Sequence, residues 1–375
     1  MADAAAPRPA NGMRGVLARL IARPGFQAWA ARFPLTRGMA RRDGAEIFRI
    51  VQGFVEAQAL ASLVELDVLN RLTGGPMRVA ALAAGAEMPE DRMLILCQAG
   101  AAMGLLKRRR DGRFALARKG AALLGVPGLR QMIRHHRAFY RDLEDPVALL
   151  RGGAETELAA FWPYVFGARG AVDPTVTATY SDLMADSQAL VAQDTLRMVS
   201  LKNVRRLMDV GGGTGAFLSA AGRAWPGLAM TLVDLPAVLE GAGARLARAG
   251  VSDRVRLHPA SFRDDPLPEG ADAISLIRVL YDHRDDTVRA LLAKVHDALP
   301  AGGRLIISEP MSGGDRPDPI TDVYFAFYTM AMGTGRTRSA DRIAELCREV
   351  GFEDIAIPRA GRPYVTSAVT CVKAA

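Results

Sequence analysis

The stretch Leu207-Met-Asp-Val-Gly-Gly-Gly-Thr-Gly215 constrains the fold of this chain more than any other. It is an apolar run ending in a glycine cluster, and a second apolar run, Met230-Thr-Leu-Val-Asp234, ends on an acid. Strand, glycine turn, helix, strand and acid in that order describe one half of a doubly wound α/β sheet with a nucleotide-type ligand at its carboxyl edge. Glycines belong there because a side chain would hold the ligand away from the backbone. The spacing is Gly211-x-Gly213-x-Gly215, with Leu218 three residues beyond, so the dinucleotide pattern G-x-G-x-x-G is not completed. S-adenosylmethionine fits this better than NAD, since it has no pyrophosphate to seat on a helix N-terminus. Asp234 is placed to accept hydrogen bonds from both ribose hydroxyls. The expected cofactor set therefore begins with Asp209, Gly211, Gly213, Gly215 and Asp234.

At 375 residues the chain exceeds what one core usually fills, so two domains are expected. No uninterrupted apolar run approaches the roughly 18 residues that span a bilayer, which predicts a soluble or peripheral protein. Cys97, Cys347 and Cys371 are scattered, without C-x-x-C or a nearby His, so neither a metal site nor a disulfide framework is expected. A reducing cytoplasm fits, and no secretory h-region opens the chain. The net charge of +8 is uneven. Before Glu46, eight arginines stand against Asp3 and Asp43, which accounts for +6 of it. Residues 1–43 also hold Val16, Leu17, Leu20, Ile21, Phe26 and Trp29, broken by Pro24 and Pro34. This basic amphipathic arm suits peripheral contact with an inner membrane.

From Ala45 to about Arg71 apolar residues recur at helical spacing, and Gly74-Gly75-Pro76 stops them. A short helix at Val79–Ala84, a second at Pro89–Leu105 and a basic hairpin, Lys107-Arg-Arg-Arg-Asp-Gly-Arg113, make residues 44–127 a winged helix. A winged helix with a basic wing raises the reading of a DNA-binding regulator with a non-catalytic second domain. A reading helix would present Arg, Lys, Asn or Gln to base edges. This one begins with Glu90 and Asp91 and continues through Met93, Leu94, Ile95 and Leu96, which suits a buried or subunit-facing helix, so no nucleic acid is expected. Residues 128–200 look helical and carry His135, His136, Phe139, Tyr140, Phe161, Trp162, Tyr164, Phe166 and Tyr180, suited to capping an apolar pocket. Beyond 201, strands at 206–210, 229–233, 254–257, 272–277, 303–308 and 365–372 alternate with helices near 214–224, 236–249, 285–298 and 339–350.

Asp209-Val-Gly-Gly-Gly-Thr-Gly215, Val233-Asp-Leu-Pro236, Ala298-Leu-Pro-Ala-Gly-Gly303 and Ser308-Glu-Pro310, in this order, resemble the O-methyltransferase family typified by the caffeic acid and acetylserotonin enzymes. That resemblance implies a Rossmann-like class I methyltransferase domain over 201–375, an N-terminal winged-helix dimerisation domain, a homodimer and S-adenosylmethionine as co-substrate, with no metal. It extends the cofactor set to Leu235, Ser261, Phe262 and Arg278. The adenine-contacting acid of the family is replaced, since Ala260-Ser-Phe-Arg263 occupies its place. The family's His-Asp pair, whose His deprotonates a phenol, corresponds to Tyr281-Asp282, with His283 next in line. Of two family acids that hold that His, Glu309 matches one and Thr337 replaces the other. The implied catalytic set is thus Tyr281, Asp282, His283 and Glu309. Tyr324, Phe325, Phe327, Tyr328, Met330 and Met332 fall in the segment that lines the family's acceptor pocket. The Tyr-Asp-His variant with a basic arm is similar to the demethylspheroidene-type branch, which methylates the tertiary hydroxyl of 1-hydroxycarotenoids. A phenolic or polyketide acceptor is the alternative.

Overall fold

The computed structural model describes residues 13–161 and 188–374. The chain forms two compact units, one ending at Ala121 and the other starting at Ala122. Trp162, Tyr164, Phe166 and Tyr180 lie outside the described residues.

In the first unit the basic arm is helical over Met13–Ile21 and Pro24–Ala30. Pro24 opens the second of these helices, where a missing N–H is no loss. Val16, Leu17, Leu20, Ile21 and Trp29 all stay exposed. Trp29 stacks on Phe33 at 4.7 Å, and Thr36 Oγ1 donates to Ala30 O, turning the chain into the long helix Arg37–Glu65. That helix, expected from Ala45, starts at Arg37 because Arg37, Met39, Ala40, Arg41 and Arg42 are strong helix formers that carry it across Gly38 and Gly44. By length and composition it is long and apolar enough to cross a membrane, although Arg49 and Glu56 interrupt its apolar run. Ile47, Phe48, Ile50, Val51, Phe54 and Val55 are each more than half exposed. Its far end is different. Leu63 and Val64 are buried, as are Leu82 of helix Val79–Gly85, Met93 and Cys97 of helix Glu90–Ala102, and Phe114. The hairpin β1 (Leu106–Arg108) and β2 (Phe114–Leu116) turns at Gly112 with φ +80°, completing the winged helix read from the sequence.

The second unit holds a seven-stranded sheet: β3 (Arg206–Val210), β4 (Ala229–Asp234), β5 (Val255–Pro259), β6 (Ala273–Ile277), β7 (Arg304–Glu309), β8 (Phe352–Ala356) and β9 (Ser367–Lys373). The spatial order is β5-β4-β3-β6-β7-β9-β8, parallel through β7, with β9 antiparallel to both neighbours. Helices Ala216–Ala224, Asp285–Ala298 and Ala340–Glu349 follow the expected places. The helix expected over 236–249 is broken into Pro236–Leu239 and Ala242–Arg248 at Gly241, a poor helix former. β8 was not expected, because Phe352 alone of its five residues is buried and two adjacent acids follow it.

This order places a switch point between β3 and β6: the chain runs outward to one side through β4 and β5, then returns to the other side of β3. The loops leaving β3 and β6 therefore lie side by side at the carboxyl edge, where open α/β sheets bind ligands. A cavity of about 660 Å³ lined by Arg206, Pro226, Asp253, Arg254 and Glu269 lies at the opposite, amino end of the strands.

Candidate active site

Gly211, Gly213 and Gly215 all adopt positive φ, between 61° and 82°, so the loop after β3 turns as the glycine spacing predicted. A β carbon added at Gly213 would meet no atom within 4 Å, which leaves open space beside that residue. Asp234, at the end of β4, borders the same loop. Its Oδ2 accepts from Gly213 N at 2.7 Å and its Oδ1 from Leu235 N at 2.8 Å. Each carboxylate oxygen keeps a further lone pair, with which it can accept from a ligand hydroxyl. Burial pushes this carboxyl up to about 6, against the pull of the two N–H donors.

Asp209 has a different place. The parallel register sets it opposite Ser275, whose hydroxyl donates to Oδ1 at 2.6 Å, and the residue is wholly buried. A β carbon at Gly212 would lie 2.3 Å from its Oδ2, so Asp209 sits under the loop and props it. Oδ2 has no partner among the described residues, and burial raises the carboxyl to about 7. Ser261 also works locally: its N–H and hydroxyl donate to Asp265 and Asp264 of its own turn. Phe262 packs edge-on against His283 at 5.3 Å and comes near Gly211.

The turn after β6 gathers the expected catalytic residues. Arg278 adopts φ +58°, strained for a side-chain-bearing residue, and is tied to β7 by its N–H on Ser308 O at 2.8 Å. Its Nε and Nη2 donate to the Tyr281 hydroxyl at 3.1 and 2.9 Å. Tyr281 is buried, which drives its phenol well above the usual range. Asp282 is buried too, with Oδ1 unpartnered among the described residues, and burial raises its carboxyl while Arg278 opposes the rise. Glu309 ends β7 fully buried. Its Oε2 accepts from Tyr281 N at 3.1 Å, Oε1 has no partner among the described residues, and burial lifts it to about 7.

His283 is not built as a base. Its Nδ1 lies 3.0 Å from Arg263 Nη2, and since a guanidinium only donates, that nitrogen is the acceptor and Nε2 carries the hydrogen. Burial, Arg263 and Arg338 together push its proton affinity down to about 3.

Sequence reasoning missed Arg338 and Arg263. Arg338, 3% exposed, donates to the carbonyls of Leu280, His283 and Arg336 and to Asp285 Oδ1. Its signal stood one residue beyond Thr337, where an acid was sought and a base was present. The aromatic segment was legible in kind but not in pairing. His135 and His136 of helix Leu129–Asp142 meet the hydroxyls of Tyr328 and Tyr324 at 2.9 and 2.7 Å, and burial lowers both imidazoles to about 4. Phe139 and Tyr328 are buried among these rings, beside partly buried Tyr324, Phe327 and Met330.

Residues 140–353 match the O-methyltransferase domain family, and residues 48–125 match the O-methyltransferase dimerisation domain. The chain is similar to demethylspheroidene O-methyltransferase of Cereibacter sphaeroides, 58% identical over 97% of either chain. It is 52% identical to the enzyme of the same name from Rhodobacter capsulatus, over 90% of this chain and 84% of that one. Among solved structures, human N-acetylserotonin methyltransferase in complex with SAM shares the fold, with a TM-score of 0.77 at 23% identity over 89% of this chain and 98% of that one.

Two outcomes follow from this geometry. Asp209→Asn isolates a buried acid whose folded-state proton affinity is raised from 3.8 to about 7. An acid so raised lends stability that is present at low pH and lost as pH climbs through that interval. Relative to wild type, the Asn variant should therefore gain in urea midpoint between about pH 4 and 7 and stay level above. Asp234→Asn should fold and weaken S-adenosylmethionine binding by about 1.5–3 kcal/mol through loss of charge-assisted hydrogen bonds, read by titration calorimetry. Wild-type affinity in the folded variant would remove Asp234 from the cofactor site.

Proposed function

The chain belongs to the O-methyltransferase family, and from that premise we propose that it methylates the tertiary hydroxyl of a 1-hydroxycarotenoid in carotenoid biosynthesis. The protein is an S-adenosylmethionine-dependent enzyme with an N-terminal dimerisation domain. The observation that carries the acceptor proposal is the turn after β6. A phenol-methylating site needs an imidazole poised as base, whereas here Tyr281 holds that position under a guanidinium and His283 is held neutral by burial and by Arg263. The two relatives named for demethylspheroidene support the same acceptor class.

A tertiary alcohol is far too weak an acid for any side chain to ionise in advance, so no strong base is required and proton loss accompanies or follows methyl transfer. Bound S-adenosylmethionine would supply an electrophilic methyl on a sulfonium. The residues of this chain then act by position and by keeping the site dry. Asp234 and the glycine loop would hold the cofactor. The rings of Phe139, Tyr324 and Tyr328 would offer an apolar wall to a polyene end.

Such a substrate is essentially insoluble in water, so the enzyme must collect it from a bilayer. We assign that contact to the arm, whose helices expose Val16, Leu17, Leu20, Ile21 and Trp29 among arginines, and place the enzyme in the cytoplasm at the inner membrane surface. The exposed row Ile47–Val55 lies largely inside the matched dimerisation domain, and a second copy of the chain would cover it.

Purified enzyme should methylate 1-hydroxylated acyclic carotenoids and leave caffeate-like phenols nearly untouched. Efficient turnover of small phenols without activity on hydroxycarotenoids would overturn this acceptor. Deleting residues 2–36, which spares the helix that starts at Arg37, should reduce sedimentation with anionic liposomes and slow turnover of membrane-embedded carotenoid. Activity on detergent-dispersed substrate should survive. Equal liposome binding by both proteins would exclude the arm as the membrane contact.

A further inference from the structure

We propose that Tyr281 and Asp282 form a two-pronged clamp on the acceptor alcohol. Tyr281 donates a hydrogen bond to the alcohol oxygen, while Asp282 accepts the alcohol's hydrogen and finally its proton. This rests on the alcohol acceptor argued above and assigns a role to each prong. A phenol oxygen has two lone pairs and one hydrogen. In Tyr281 both lone pairs receive guanidinium hydrogens, from Arg278 Nε at 3.1 Å and Nη2 at 2.9 Å. What remains is the O–H hydrogen, so this tyrosine is confined to donating and cannot serve as a base. Asp282 is its complement. Its Oδ1 is buried, meets no donor among the described residues, and as a carboxylate oxygen can only accept. Tyr281 and Asp282 are consecutive residues of the short turn Leu280–Asp282, both buried, and the charge of Arg278 acts on both side chains.

An alcohol between these groups has one lone pair taken by Tyr281 and its hydrogen taken by Asp282. One lone pair stays available, and a fixed direction for it is worth more than added basicity. The new O–C bond takes its electrons from that lone pair, the C–S pair stays on sulfur, and the O–H proton passes to Asp282 Oδ1. A carboxylate and a sulfonium thus both end neutral inside the site. Of the other described groups near the turn, Glu309 alone also keeps an unpartnered carboxylate oxygen, Oε1. His283 Nδ1 is engaged by Arg263, the Nε2 atoms of His135 and His136 are engaged by tyrosine hydroxyls, and Glu309 receives the N–H of Tyr281. The charged and titratable groups facing Asp282 are Arg278 and Tyr281 from its own turn and Glu309 from β7, with Arg338 beyond Glu309.

The test compares two polyenes, one with the tertiary hydroxyl and one lacking it, bound to enzyme saturated with S-adenosylhomocysteine so that nothing turns over. Wild type should prefer the hydroxylated polyene by about tenfold or more, the size of one or two buried hydrogen bonds. Tyr281→Phe and Asp282→Ala should each lose most of that preference while still saturating with S-adenosylhomocysteine. Asp282→Asn, whose amide oxygen still accepts, should keep the preference yet lose turnover by about 100-fold or more, since it cannot take the proton. Undiminished preference in folded, cofactor-binding Tyr281→Phe and Asp282→Ala would overturn the clamp, as would near-normal turnover by Asp282→Asn. If wild type binds neither polyene, the carotenoid acceptor fails by itself. The same variants measured with a long-chain saturated tertiary alcohol and its deoxy counterpart then decide the clamp.

Discussion

Four consecutive backbone carbonyls, those of Leu280, Tyr281, Asp282 and His283, accept hydrogen bonds from one short segment across from them. Arg338 Nη1 takes the first, Arg336 N the second at 2.7 Å, Thr334 Oγ1 the third and Arg338 Nη2 the fourth. A guanidinium stays charged in the interior, and its further bonds to Asp285 compensate that charge. The turn therefore has little freedom to shift. Side chains on such a backbone are oriented before any ligand arrives, which removes the entropic cost of assembling them at the moment of reaction. Removing the Arg338 side chain would strand carbonyls and leave Asp285 without its buried partner, so the geometry of Tyr281 and Asp282 depends on a residue far along the chain.

Electrostatics adds to this preorganisation. Asp234, Asp282 and Glu309 each bind protons more tightly than an exposed carboxylate because burial penalises their charge. Arg278 offsets part of that penalty at Asp282 and Glu309, and Arg338 does so at Glu309. Placing acids with unpartnered oxygens at a strand edge costs folding energy that aromatic or amide residues would not. The expense is intelligible where the ligand brings a positive charge of its own.

Features that depend on short-range pattern were legible in the chain. The glycine turn, the alternating strands and helices and the winged helix follow from local periodicity and turn chemistry, and each lies within a few residues of its expected place. Local signals failed where tertiary contacts decide. β8 is held by pairing with β9 although only Phe352 is buried, so no apolar alternation marked it. The helix starting at Arg37 ran past the presumed limit of the arm because charge composition says nothing about helix length. In the site, residue types were readable but partners were not. His283 stood next to the position of a family base, yet Arg263, twenty residues earlier, converts its ring into an acceptor. His135 and Tyr328 are 193 positions apart, and no spacing rule connects them.

The segment that carries Tyr324 begins with a π-helical turn, Thr321–Phe325, and continues as the α-helix Ala326–Ala331. Its start is tethered by Asp318, whose Oδ1 accepts from Ile320 N, Thr321 N and the Thr321 hydroxyl. A π turn holds one residue more than the α turn it replaces. Loss of a single residue there would rewind the segment and rotate Tyr324 against Tyr328 by about 100°, the angle of one α-helical residue. The His136–Tyr324 pair would be dissolved, while the donors to the carbonyls of residues 280–283, Thr334, Arg336 and Arg338, lie beyond the altered turn in the chain. Change of chain length at this point, rather than replacement of a side chain, is thus an evolutionary route by which the fold can reshape its aromatic wall without disturbing the turn beneath it.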